Sequence, residues 1–203
     1  GCKNDTGTGA GVTIAGGRCS TVQDGANSAV IGGGFRNCVN ANGQTSTVGG
    51  GMCNVTDATN STVSGGQQNC TTGYASTVGG GICNHSTGSG STIGGGSGSI
   101  AEGIHSTVGG GHGHCAIGNE STIGGGLENK VIGACGVIAG GRCNIVCSGF
   151  DSAVGGGYKN CNAANRSFMG GGGQNEIKSG ANNSVVVGGV LNCTVSGVYG
   201  AIL

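Results

Sequence analysis

The chain of 203 residues has no proline and no tryptophan, only three phenylalanines and three tyrosines, and few charges. Each shortage excludes something. Without imino acids, the 52 glycines cannot serve a collagen triple helix, which needs Gly at every third position alongside abundant proline. With charged residues at 8% and a formal net charge of zero, there is neither a basic footprint for nucleic acid nor an acidic tail. The low charge and the regularly placed Val and Ile also argue against a solvated disordered chain. No apolar run reaches bilayer-spanning length, so membrane insertion is not expected. Gly1 to Ala10 carry no basic segment leading into an apolar one, which reads as a mature, soluble product.

What the sequence does have is a repeat. SerThrVal followed by GlyGlyGly begins at Ser46, Ser76 and Ser106, with variants at Ser61, Ser91 and Ser121, a spacing of fifteen residues. Looser copies run from Ile14 to Gly17, Ile31 to Gly34, Ile138 to Gly141, Val154 to Gly157, Met169 to Gly172 and Val186 to Gly189. This predicts an all-β fold: a single parallel β-solenoid domain over residues 1–203, with about twelve coils of period near 15, braced by disulfides. Val48, Val63, Val78, Ile93, Val108, Ile123, Ile138 and Val154 are predicted to stack as an apolar ladder filling a narrow interior. Thr47, Thr62, Thr77, Thr92, Thr107 and Thr122 lie one position away and are predicted to form an outward β-branched hydroxyl row. The glycine triplets supply bends and let neighbouring backbones approach closely. With so few large side chains, stability must come from inter-coil backbone ladders, small stacked side chains and disulfides.

The runs SerThrValGlyGlyGlyMetCysAsn (Ser46 to Asn54) and GlyGlyGlyPheArgAsnCysValAsnAlaAsnGly (Gly32 to Gly43) resemble the head repeats of trimeric autotransporter adhesins of the YadA type. The resemblance covers most of the chain and implies a left-handed parallel β-roll, often trimeric, in a cell-surface adhesin.

Twelve cysteines, even in number and not grouped as CxxC pairs, point to an oxidising, extracellular compartment with disulfides. Counted from the last Gly of each triplet, Cys19, Cys53, Cys83 and Cys143 sit two residues on, while Cys38, Cys70, Cys115, Cys161 and Cys193 sit four on. Bridges between adjacent coils are therefore expected. Cys19–Cys38, Cys53–Cys70 and Cys143–Cys161 form the favoured set, with Cys38–Cys53 and Cys70–Cys83 as the alternative. Cys2, Cys115, Cys135, Cys147 and Cys193 have no evident partner and are candidates for links to another chain.

Nine Asn-X-Ser/Thr sequons, at Asn4, Asn54, Asn60, Asn69, Asn84, Asn119, Asn165, Asn182 and Asn192, make covalent N-glycans an expected partner. Asn60, Asn119, Asn165 and Asn182 precede the strand Ser, in a polar corner where a glycan has room. Asn54, Asn69, Asn84 and Asn192 belong to a column continued, without the sequon, by Asn37, Asn129, Asn144, Asn160 and Asn175. That column has two readings: an internal amide ladder, or an outward row if the flanking cysteines face inward to cross-link. The second is favoured here.

No Lys-Ser/Thr follows the glycines at phosphate-loop spacing, and the positions that hold Asp in calcium-binding β-rolls carry Met52, Ile82 and Leu127. His112 and His114, expected on one strand face beside Cys115, have no evident fourth metal ligand, so surface histidines are the expected reading. Asp24, Asp57, Glu102 and Asp151 are scattered over different coils and offer no catalytic pair. The sequence thus predicts no enzyme activity, no cofactor and no metal. It predicts a secreted structural or adhesive glycoprotein, a self-assembling extracellular fibre subunit whose partner is itself, as a head-to-tail fibre or a homotrimer. The apolar tail from Val195 to Leu203 and the lack of capping helices suggest strand edges offered to another subunit. The alternative is an ice-binding solenoid using the Thr row, or an adhesin-type binding module.

Overall fold

A fifteen-residue coil interrupted by three glycines leaves room only for short strands, and every strand is two residues long. A computed structural model describes residues 2–195 and 200–202. It is all-β: a parallel β-solenoid of about twelve coils with a period near fifteen residues. The chain forms two compact units, Gly1–Ala101 and Glu102–Leu203.

In the first unit each coil contributes one strand to each of two sheets. One sheet stacks Thr13–Ile14, Val30–Ile31, Thr47–Val48, Thr62–Val63, Thr77–Val78 and Thr92–Ile93. The other stacks Thr21–Val22, Cys38–Val39, Val55–Thr56, Cys70–Thr71, His85–Ser86 and Ile100–Ala101. Between the two, a column of single-residue bridges runs through Arg18, Phe35, Met52, Gln67, Ile82 and Ser97. All pairing is parallel and in register, so Thr47 sits on Thr62, Thr62 on Thr77 and Thr77 on Thr92.

The second unit repeats the plan. Its first sheet stacks Thr107–Val108, Thr122–Ile123, Val137–Ile138, Ala153–Val154, Phe168–Met169, Val185–Val186 and Ala201–Ile202. Its second sheet stacks Cys115–Ala116, Lys130–Val131, Ile145–Val146, Cys161–Asn162, Glu176–Ile177 and Cys193–Thr194. The bridge column passes through His112, Leu127, Arg142, Tyr158, Gly173 and Val190. Of the apolar tail, Ala201–Ile202 pairs with Val185–Val186, while residues 196–199 and 203 lie outside the described residues.

The predicted apolar ladder forms the interior. Val48, Val63, Val78 and Ile93 in the first unit, and Val108, Ile123, Ile138 and Val154 in the second, are all buried. The Thr row faces outward, half-covered by its neighbours above and below. The last glycine of each triplet cannot be replaced without moving backbone. Gly66 has φ +86, and a Cβ there would lie 2.2 Å from the carbonyl oxygen of Gly81 in the next coil. The middle glycine is different, because a Cβ on Gly65 meets nothing within 4 Å. Two further corners per coil use left-handed backbone, in most coils at residues that are not glycine, such as Cys53 (φ 57) and Asn60 (φ 61). Each such residue costs about 1–2 kcal/mol in isolation. The inter-coil hydrogen bonds on both sides, for example Cys53 N–H to Phe35 O and Gln68 N–H to Met52 O, both 2.9 Å, hold the corners in place.

Candidate functional site

Every coil turns through Cys53-type and Asn60-type corners, so the chain has inward columns, which carry the architecture, and outward columns, which any partner would meet. The inward column that matters most is asparagine. Asn37, Asn54, Asn69 and Asn84 in the first unit and Asn129, Asn144, Asn160 and Asn175 in the second are buried, at no more than 1% exposure. Each amide is fully used. Asn69 Nδ2 donates to Gly65 O and to Gly81 O, both at 2.9 Å. Its Oδ1 accepts the N–H of Asn84 at 3.0 Å, while its own N–H reaches Asn54 Oδ1 at 3.0 Å. The residue thus joins three successive coils through four hydrogen bonds, three from its side chain and one from its own N–H, and it gives the Gly81 carbonyl a second donor beside the Gln67 N–H.

This overturns the expected outward orientation of the column. The alternation across Cys53, Asn54 and Val55 is real, but its phase is opposite: the cysteines face out and the asparagines face in. Asn54, Asn69 and Asn84 are therefore sequons whose amide nitrogens are enclosed and hydrogen-bonded in the folded chain. Asn192 and Asn4 occupy the same column with partial exposure, and Asn192 Nδ2 donates to Gly188 O at 2.8 Å. Asn60 and Asn119 are exposed, and Asn165 and Asn182 partly so. These four form two columns, not one. Asn60 occupies the left-handed corner itself, whereas Asn119 and Asn165 sit one position earlier and accept the N–H of Ile104 and Phe150 at 2.9 and 3.0 Å.

His114 stands in the asparagine column and reproduces its chemistry. Its Nδ1 accepts the N–H of Asn129 at 3.1 Å, as an asparagine Oδ1 would. A second hydrogen bond engages the Gly126 backbone. Burial holds its pKa below the usual 6.5, the partial offset coming from those backbone contacts, so the neutral ring is the form that fits. His112 is exposed and His114 buried, with Gly113 at φ +68 between them. The expected shared face does not exist, because that left-handed residue ends the strand-like alternation. Among the described residues no group of three or more His, Cys, Asp or Glu is placed to hold a metal ion.

All twelve cysteines are free thiols in the structure. Those two after the glycines (Cys19, Cys53, Cys83, Cys143) stand on the left-handed corner; those four after stand in the second sheet, facing out. In the favoured set Cys19, Cys53 and Cys143 thus fall on the corner column, while Cys38, Cys70 and Cys161 fall on the strand column. Cys38 stacks on Thr21 and Val55, and Cys70 on Val55 and His85. Cys83 Sγ faces Gln68 Oε1 at 3.4 Å, and Cys143 Sγ faces Glu128 Oε2 at 3.4 Å. Burial pushes the Cys38 and Cys70 thiols above their usual range, and nearby Asp57 adds to the effect. Cys147 and Cys161, which spacing does not pair, have sulfurs 3.0 Å apart.

Two outward clusters were not visible in the sequence. Arg18 and Arg36 lie 5.7 and 5.1 Å from the ring centre of Phe35, and Arg142 and Lys159 lie 4.6 and 5.2 Å from that of Tyr158. Both have the same plan: a cation and an aromatic in successive bridge positions, and a second cation on the adjoining corner. Hydrogen bonds from Lys159 and then Arg142 draw the Tyr158 hydroxyl below its ordinary pKa. Recognising the coil register of Arg18 and Phe35, seventeen residues apart, was the missing signal. No family model matches the chain, and no curated relative aligns with it.

Proposed function

We propose that this chain is a non-catalytic, extracellular structural or adhesive module that associates with copies of itself, as a homotrimer or a fibre. The observation that carries this reading is the strict register of the outward columns. Parallel, in-register stacking presents each outward position once per coil, in a straight file. Such a surface suits an extended, repetitive partner, and a second solenoid of the same pitch is the partner that matches it along its whole length. Outward apolar residues such as Ile82, Phe150, Phe168 and Val190 give such a contact desolvation energy that an 8% charged chain does not oppose. The YadA-type resemblance supports the same reading. N-glycans, on this proposal, belong at Asn60 and Asn119, clear of the asparagine ladder.

The test is sedimentation equilibrium on the purified chain, followed by electron microscopy of the unreduced material. Concentration-dependent trimers or continuous filaments are expected; a monomer at every concentration tested refutes self-association.

A second reading rests on the file Thr47, Thr62, Thr77 and Thr92, whose Cα atoms are direct partners in successive coils. A regular row of β-branched hydroxyls on a rigid sheet is suited to ordered water, and hence to ice. Thermal hysteresis in the folded protein tests it, and its absence removes the reading.

A further inference from the structure

We infer that Cys147 and Cys161 are a thiol–disulfide modification site on the outward surface of the second unit, closed into an inter-coil bridge by exchange with a small disulfide of the glutathione class. The two sulfurs stand 3.0 Å apart, about 1 Å beyond a bonded S–S distance. Side-chain rotation can close that gap.

The fold brings them together through an irregularity. Cys161 lies opposite Ile145 in the parallel ladder, and Asn162 lies opposite Val146. Cys147 is thus one coil earlier and two residues further along, on the same outward side, and its N–H still donates to Asn162 O at 2.8 Å. A diagonal pair of this kind in a regular sheet is normally about 7–8 Å apart, too far for a bridge. This coil, however, carries an extra residue. Val131 is followed two positions later by Gly133, which stacks on Gly149, yet Gly149 is three positions after Val146. The insertion therefore falls at Ser148, directly after Cys147, where the chain leaves the strand. The competing partner for Cys161, Cys143, sits on the corner column with its sulfur against Glu128 in the preceding coil.

Both thiols are partly exposed, so a small disulfide can reach them. A hydrogen bond from Cys161 holds the Cys147 thiol down at about 7, and the same contact pushes Cys161 up. Cys147 is thereby the attacking thiolate near neutral pH. Its sulfur attacks one sulfur of the small disulfide, forming a mixed disulfide and displacing one small thiolate. Cys161 then loses its proton to solvent and attacks the Cys147 sulfur, displacing the second small thiolate. One protein S–S bond replaces two S–H bonds, and the oxidant is reduced to two thiols by the two electrons and two protons released. The bridge does not depend on self-association.

The full reduced chain is equilibrated with oxidised and reduced glutathione, quenched with an alkylating agent, digested without reduction and mapped by mass spectrometry. The expected result is a Cys147–Cys161 linked peptide, with alkylation at both positions at least tenfold below that at Cys143. Cys143→Ser leaves the link in place, and Cys147→Ser returns Cys161 to full alkylation. Equal alkylation of Cys143, Cys147 and Cys161, or Cys161 linked to any other cysteine, overturns the assignment. The wild-type map decides the matter even if Cys147→Ser fails to fold.

Discussion

The inward column of the second sheet is filled differently in the two units. In the first it runs Val22, Val39, Thr56, Thr71, Ser86 and Ala101; in the second it runs Ala116, Val131, Val146, Asn162 and Ile177, all fully buried, and ends at the half-buried Thr194, the one threonine of that unit's column among the described residues. The Thr56 and Thr71 hydroxyls are enclosed without a hydrogen-bond partner, whereas Val131 and Val146 occupy the equivalent space with methyl groups. The outward Thr row shows the same freedom, continuing beyond Thr122 as Val137, Ala153 and Phe168. Yet the backbone register, the left-handed glycine and the asparagine ladder persist in both units. What specifies this fold is the hydrogen-bonded frame, and the filling needs only to be small.

The sharpest way to break that comparison is to attack the frame. Gly66→Ala puts a methyl group within 2.2 Å of the Gly81 carbonyl, on a residue with φ +86. A loss of at least about 3 kcal/mol is expected, from strain plus backbone displacement. Gly65→Ala, one residue away with open space around its Cβ, should change stability by less than about 0.5 kcal/mol. Chemical denaturation of the two variants reads the difference, and comparable losses would show that glycine content, rather than this close approach, is what matters. Gly126 and Gly125 repeat the contrast in the second unit.

Next in size is the amide ladder. Asn69→Ala removes two donors and one acceptor from buried carbonyl and N–H groups, an expected loss of about 2–4 kcal/mol. Asn60→Ala, at an exposed left-handed corner where the amide meets only Thr45 and Tyr74, should cost less, about 1 kcal/mol. Thermal melts of both variants check the pair, and equal effects would refute the structural role given to the inward column.

The period, the Val48-to-Val154 ladder and the outward Thr row were legible in the sequence because identical residues at fixed spacing must stack when coils are in register. The phase of the asparagine column was not. It depends on whether the second residue after the left-handed glycine is itself left-handed, and Cys53 gives no sign of that in a one-dimensional pattern. A signal was available all the same: Asn37, Asn129, Asn144, Asn160 and Asn175 keep the column without any sequon, so the asparagine is retained where glycosylation cannot explain it. The Cys147–Cys161 contact escaped notice because it arises from a single inserted residue, which a periodic reading averages away.

His114 allows the comparison to be sharpened by pH. Its pKa is lowered in the folded chain by burial, so the unfolded chain binds the proton more readily than the folded one. The stability associated with the neutral ring is complete above pH 6.5 and is lost as pH falls through the unfolded and then the folded pKa. The slope from this one group is bounded at about 1.4 kcal/mol per pH unit. Protonated Nδ1 would also confront the Asn129 N–H that it now accepts. His114→Asn, which restores the usual ladder residue, should remove that part of the pH dependence while keeping the fold. Melting temperatures of both proteins between pH 7 and pH 5 measure it; identical slopes would assign the pH dependence elsewhere.

The smallest expected effect bears most directly on how the two units differ. Thr56→Val exchanges a buried hydroxyl without a partner for a methyl group of nearly the same size, giving the first unit the filling that the second already has at Val131 and Val146. The desolvation cost of the hydroxyl is removed and no hydrogen bond is lost, so a gain of about 1 kcal/mol is expected. Thr71→Val should do the same, and since Thr56 and Thr71 are direct partners in the ladder, the double variant need not equal the sum. A loss of stability in either single variant would mean that these hydroxyls have partners in solution, and that the polar filling of the first unit is selected rather than tolerated.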